Sequence, residues 1–287
     1  MEHVRWDDRP RLRRPVLVAA FEGWNDAADA ASGAARYLKA SWGARPFANI
    51  DPEEFYDFSS TRPQVRLGGG FTREIIWPSN ELSAASPPGT SRDVVVLIGT
   101  EPQLRWRTFC AQVVGVANEL RAELVVTLGA LLADVAHTRP VRVTGTAADP
   151  DLVRRLGLER STYEGPTGIV GVLHDACRRA QLQSASLWAA VPHYVAATPS
   201  PKATLALVRR TTNLLSTPLV TADLEQRAID YEQQVSEVVA TDDEVAAYVR
   251  RLEEAVDASA DEEPLQPQSG DVIAAEFERF LRDQQGE

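Results

Sequence analysis

Apolar residues run without a break from Val16 to Phe21, then give way at Glu22-Gly23-Trp24-Asn25-Asp26 to the small-residue stretch AADAASGAARYL. An unbroken run of this length fits a strand covered on both faces, and the small residues fit a helix packed close against it. Asn25 or Asp26 is placed to cap that helix. The theme recurs. Val94 to Ile98 stops at Gly99-Thr100-Glu101-Pro102 before helical spacing from Trp106 to Leu120. Glu123 to Leu132 runs into a loop with Asp134, His137 and Arg139, and Ser186 to Val191 into Pro192-His193-Tyr194. Between these, Pro46 to Phe58 reads as a strand followed by an aromatic-acidic segment. Val65 to Leu67 and Thr72 to Trp77 flank Gly68, Gly69 and Gly70, a β-hairpin pattern. Thr167 to Ala180 puts Ile169, Val172, Leu173, Ala176, Cys177 and Ala180 on one helical face, with Thr167 as cap and His174 off the face. Strands alternating with helices predict a mainly parallel sheet in a three-layer α/β/α sandwich.

The last part of the chain changes period. Leu224, Ala228, Tyr231, Val235 and Val238 are spaced by four and three, and after Thr241-Asp242-Asp243 the spacing returns in Val245, Val249, Leu252 and Val256. Two such seams predict a C-terminal α-helical hairpin. An acidic, proline-containing linker follows, then a short helix carrying Ile273, Phe277, Phe280 and Leu281. The expected division is a core over 1–220, the hairpin over 221–258, and linker with terminal helix over 259–287.

Charge sharpens that division. The chain has 287 residues and a formal net charge of -11. From Thr221 onward there are 19 acidic and 5 basic residues, so the preceding body, with 22 acidic and 25 basic, is slightly positive. An acidic chain without a basic stripe is not expected to bind nucleic acid. No apolar run approaches the roughly 20 residues that cross a bilayer, and the N-terminus lacks a leader-like apolar core, so a cytoplasmic protein without membrane contact is expected. Cys110 and Cys177 are the only cysteines and fall in helical patterns, where they read as small buried side chains. Lys39 and Lys202 are the only lysines among 30 basic residues.

In an open α/β sheet the residues just beyond the strand ends are the candidate site. Here they are Glu22, Trp24, Asn25, Asp26, Glu101, Arg105, Asp134, His137, Arg139 and His193, with Glu164 on the turn before the Thr167 helix. Carboxylates and histidines there suit acid-base chemistry with Arg105 or Arg139 holding an anion; the same residues suit capping, loop ion pairs and interface contacts. Sharper motifs fail. GxxxxGK[ST], GxSxG and HExxH are absent, the histidines lack metal-ligand spacing, and Gly165, Gly168 and Gly171 do not have the dinucleotide spacing. No metal and no cofactor are expected.

The stretches FEGWNDAADAASGAARYL, IDPEEFYDF, Thr61-Arg62-Pro63, Arg73-Glu74-Ile75-Ile76-Trp77-Pro78, GTEPQLRW and YEGPTGIVGVL resemble the actinobacterial branch of the proteasome assembly chaperone two family, over about Pro15 to Pro218. The resemblance implies a sandwich similar to nucleoside phosphorylases and hydrolases. It also implies self-association, a trimer being the form it suggests, and a role in protein assembly or scaffolding with proteasome subunits or cofactors as partners. Family members that dock in proteasome pockets end in hydrophobic-Tyr-X, whereas this sequence ends Gln285-Gly286-Glu287, so docking through that terminus is not expected. The reading is therefore a non-enzymatic, self-associating protein of the chaperone type. The alternative is a phosphorylase- or nucleosidase-like enzyme in which Glu164 or Glu101 contacts ribose, Asp134 protonates the leaving base and Arg105 or Arg139 holds phosphate.

Overall fold

The computed structural model describes residues 2–68, 72–195 and 199–260. In chain order, β1 is Val4–Trp6, β2 Val16–Glu22, α1 Ala30–Ser41, β3 Arg45–Ile50, β4 Gln64–Gly68, β5 Thr72–Ile76, β6 Asn80–Ala85, β7 Val94–Thr100 and α2 Trp106–Glu119. There follow β8 Leu124–Ala133, β9 Val143–Ala147, α3 Pro150–Leu156, α4 Ile169–Arg179, β10 Ser184–Pro192, α5 Pro201–Leu215, α6 Ala222–Val239 and α7 Asp243–Ala260. One eight-stranded sheet has the order β1-β3-β6-β7-β2-β8-β10-β9, while β4 and β5 pair only with each other.

Alternation along β2 explains why its apolar run is unbroken. Val16, Val18 and Ala20 belong to a buried cluster with α1 and α5, and Leu17, Ala19 and Phe21 belong to the opposite cluster with Phe55 and residues of α2 and α4. The result is the expected three-layer sandwich. The sheet is mixed, however, rather than mainly parallel. β7, β2, β8 and β10 run parallel, while β6, β3, β1 and β9 add antiparallel pairs on both flanks. Thr167 does not cap α4. Gly168 occupies the cap position, and Glu101 Oε1, from the end of β7, accepts the Ile169 N–H at 2.8 Å. His174 is off the apolar stripe but not idle, for its ring bridges Thr127 Oγ1 and Ser184 Oγ, both at 2.8 Å. Desolvation there lowers its pKa to about 4.

The two C-terminal helices form the hairpin, and α6 also lies along α5. Leu224 and Ala228 join the cluster of α1 and α5, whereas Tyr231, Val235 and Val239 pack with Val249, Ala136, Tyr194 and Val195. The short helix expected around Ile273 to Leu281 lies outside the described residues. No described helix is long and apolar enough to cross a membrane.

Candidate functional site

The C-terminal ends of the four parallel strands divide into an open half and a covered half. At the ends of β2 and β7 lies an open cleft of about 420 Å³ whose lining includes Glu22, Thr61, Thr100, Glu101, Gln103 and Trp106. Glu101 is its organising group. Besides capping α4, its carboxylate accepts from Asn25 Nδ2 at 2.9 Å and from the Trp24 N–H at 3.3 Å. A Cβ on Gly168 would stand 2.8 Å from Glu101 Oε1, so only glycine lets the start of α4 approach this closely. Glu22 pairs with Arg36 and accepts from Thr100 Oγ1 at 3.4 Å. Trp24 projects at 51% exposure.

Asp26 faces inward. Its Oδ1 accepts the Ala31 and Ser32 N–H groups at 2.7 and 3.1 Å, capping α1 from outside the helix, and burial raises its pKa above the usual carboxylate range. The intervening Ala28 and Asp29 both sit at φ 51°, a left-handed conformation that non-glycine residues adopt at a cost of about 1–2 kcal/mol each. Tertiary hydrogen bonds hold them, with Ala130 N–H donating to Asn25 O and Ser200 N–H to Ala28 O. Arg105 turns away to pair with Glu54, and Glu164 is exposed on its loop.

At the ends of β8 and β10 the hairpin covers the strands. Buried His137 donates its backbone N–H to Tyr194 Oη at 2.8 Å, and the same hydroxyl lies 2.8 Å from Nδ1. Ser236 spends its proton on Glu232 O, so it accepts from His137 Nε2 at 3.0 Å, and Tyr194 donates to Nδ1. Desolvation, then the neighbouring Lys202 charge, lower the His137 pKa, against weaker opposing pulls from Glu232 and Glu253. Arg139 holds α7 through Asp257, at 2.9 and 2.6 Å, and Glu253 at 3.4 Å. Asp134 accepts from Tyr248 and lies 3.1 Å from His193 Nδ1. Glu22 and Glu101 thus share the cleft, while Asp134, His137, Arg139 and His193 meet at the hairpin. Among the described residues no group of three or more His, Cys, Asp and Glu side chains is placed to hold a metal.

The profile of the PAC2 family matches residues 20–239, a span that takes in both halves of the strand-end region. The chain belongs to the PAC2 family. It is similar to a PAC2 family protein from Streptomyces avermitilis, at 50% identity and a TM-score of 0.77 over 82% of this chain and 99% of that one. It is similar to a proteasome-assembly chaperone homologue from Mycobacterium tuberculosis, at 50% identity and a TM-score of 0.75 over the same shares. An archaeal proteasome activator, PbaB from Pyrococcus furiosus, shares the fold at 18% identity and a TM-score of 0.67 over 82% of this chain and 97% of that one. No curated protein matches the sequence.

Within this PAC2 fold, several residues that complete the two halves have no strand-end motif of their own. Thr61 reaches the cleft from the loop before β4 and accepts from Gln103 Nε2 at 2.7 Å. Ser236, Tyr248, Glu253 and Asp257 arrive from helices remote in sequence. Their signal was the helical period of the tail, which marks a docked face without saying where it docks.

Proposed function

We propose that this PAC2 family chain is a non-enzymatic, self-associating chaperone of the proteasome-assembly type, binding proteasome subunits or their cofactors in the cytoplasm. The observation that carries the reading is how the polar strand-end groups are used. Glu101 is engaged by three neutral N–H donors, Asp26 by α1, and Asp134, His137 and Arg139 by the hairpin. They hold elements together rather than converging on one reacting atom. The 50% identity to the Mycobacterium tuberculosis chaperone homologue gives the same direction. In this reading residues 1–220 are the body and 221–258 an interaction element, whose exposed face carries Asp230, Glu237, Asp243, Glu244 and Glu254.

The test uses the full-length protein as bait in native lysate of its source, with sedimentation of the purified protein alongside. Stoichiometric recovery of proteasome subunits together with a sedimenting oligomer supports the proposal. A monomer that recovers no proteasome component overturns it. The cleft of about 420 Å³ keeps a second reading alive, a nucleoside phosphorylase- or nucleosidase-like enzyme with Glu101 at the sugar. Phosphate-dependent release of base from a panel of nucleosides, abolished in Glu101→Gln, would establish that reading instead.

A further inference from the structure

The cleft at the ends of β2 and β7 has an electrostatic character of its own. Among the described residues that line it there is no arginine, lysine or histidine, while Glu22 and Glu101 are both in its wall. A phosphate or carboxylate group finds no cation there to hold it. Glu22 is countered by Arg36, which stands outside the cleft, and Glu101 only by the neutral N–H donors of Trp24, Asn25 and Ile169. Each carboxylate keeps one lightly used oxygen. Among the described residues, Glu101 Oε2 accepts only the Trp24 N–H at 3.3 Å, and Glu22 Oε2 only Thr100 Oγ1 at 3.4 Å. An ionised carboxylate has room for about four hydrogen bonds, so both retain acceptor capacity toward the cleft.

Indole surface stands beside these oxygens. Trp106 lines the cleft with its ring fixed by the Nε1–H bond to Pro102 O, and exposed Trp24 follows Gly23, which lines it too. Carboxylates next to an indole face suit an organic cation, because the ring's negative face and the carboxylate lone pairs attract the same group. The loop that presents Trp24 is held in place. Gly23 sits at φ 124°, its carbonyl accepts the Asp26 N–H at 3.0 Å, and Asn25 O accepts the Ala130 N–H at 2.8 Å. Side chains fixed in this way before binding lose little entropy when a ligand arrives.

The rim of the cleft is apolar. Leu104, next to the lining Gln103, is exposed, and so is Tyr163, whose hydroxyl donates to Pro166 O at 2.7 Å, two residues before the Gly168 that abuts Glu101. An apolar rim around a polar cleft fits a chain that continues past the group it inserts. We infer that the cleft takes an arginine side chain from a segment of a protein partner, with Glu101 and Glu22 accepting from the guanidinium and Trp106 and Trp24 packing against its plane. Arginine is preferred to lysine because its planar group stacks and donates to two acceptors at once. The source of that side chain rests on the partner binding proposed above; the chemistry of the cleft does not.

Titration of the full-length protein with the peptide Ac-Gly-Arg-Gly-NH2, read through the indole N–H resonances of Trp24 and Trp106, tests the inference. The expected result is a saturable shift of both signals by about 10 mM peptide, the range of a single side-chain contact. The peptide with neutral citrulline in place of arginine should bind about tenfold more weakly or worse. Glu101→Gln removes the charge but keeps an oxygen for the Asn25 and Ile169 donors, and should weaken the arginine peptide to the same degree. Glu22→Gln is the second variant and reads the same contact without touching the α4 cap. No saturable shift, or equal binding of the two peptides, overturns the inference. Agmatine bound far more tightly than the arginine peptide overturns the choice of a protein segment and gives the cleft to a free amine. In the lysate experiment, no partner recovered by the wild type strikes the chaperone reading alone, whereas partners recovered as fully by both variants as by the wild type strike this site.

Discussion

The two halves of the strand-end edge are built from the same material and put to different use. At β2 and β7 the polar residues bond to one another and leave Trp24 and an open cleft facing water; at β8 and β10 they bond to two added helices and are covered. Position at the carboxyl end of a parallel strand therefore does not by itself make a site in this fold. What decides is whether a later segment of chain claims the same groups. The hairpin claims one half and stops short of the other.

That contrast is open to attack, beginning with the covered half. Leu224→Ala removes a side chain that α6 inserts beside α1 and α5, and is expected to cost about 3 kcal/mol in urea unfolding. A loss below about 1 kcal/mol would mean the hairpin is an accessory to the fold. Acid should act next. The unfolded His174 ring takes up a proton below 6.5 but the folded ring only at about 4, so the unfolded state binds more protons in between. Stability contributed by that neutral ring is present above about 6.5 and lost as pH falls toward 4, by roughly 3 kcal/mol in all. His137 is lowered in the same direction, so His137→Gln should flatten part of the fall; urea midpoints from pH 7.5 to 4.5 that do not move would refute both assignments.

In the open half, Glu101→Ala leaves the first α4 amide and the Asn25 amide without their acceptor, an expected loss of about 2 kcal/mol by thermal or urea unfolding. Arg139→Ala, which removes the partner of Asp257 and Glu253 on α7, should lower the urea midpoint only slightly, and less in high salt. Trp24→Ala should change stability by no more than about 0.5 kcal/mol, and any effect it has on partner recovery then belongs to binding.

Much of this could be read from the chain. The runs at Val16, Val94, Leu124 and Ser186 announced the four parallel strands because burial on both faces demands continuous apolar sequence. Of the antiparallel additions, only β3 was announced, as the strand that opens at Pro46. β6, NELSAA, and β9, VTGTA, are short and rich in small residues, and their pairing depends on partners far along the chain. The first turn of α4 shows the same limit, since Thr167 carries the local signal for a cap but Glu101 supplies the acceptor from sixty-eight residues away. Glu22, Glu101, Asp134 and His193 lie at or beside strand ends in the structure, yet nothing local told which of the strand-end residues would face a cleft and which would meet Tyr248 or Asp257.

Cys110 and Cys177 are buried between α2, α4 and the sheet, and desolvation pushes both thiols up to about 12. Neither forms appreciable thiolate at neutral pH, so alkylating reagents and mild oxidants pass the native chain by. A single cysteine placed on the β4–β5 ribbon would be the one reactive thiol in the folded molecule. The native protein is thus ready-made for site-specific spectroscopic labelling, with no background thiol to remove first.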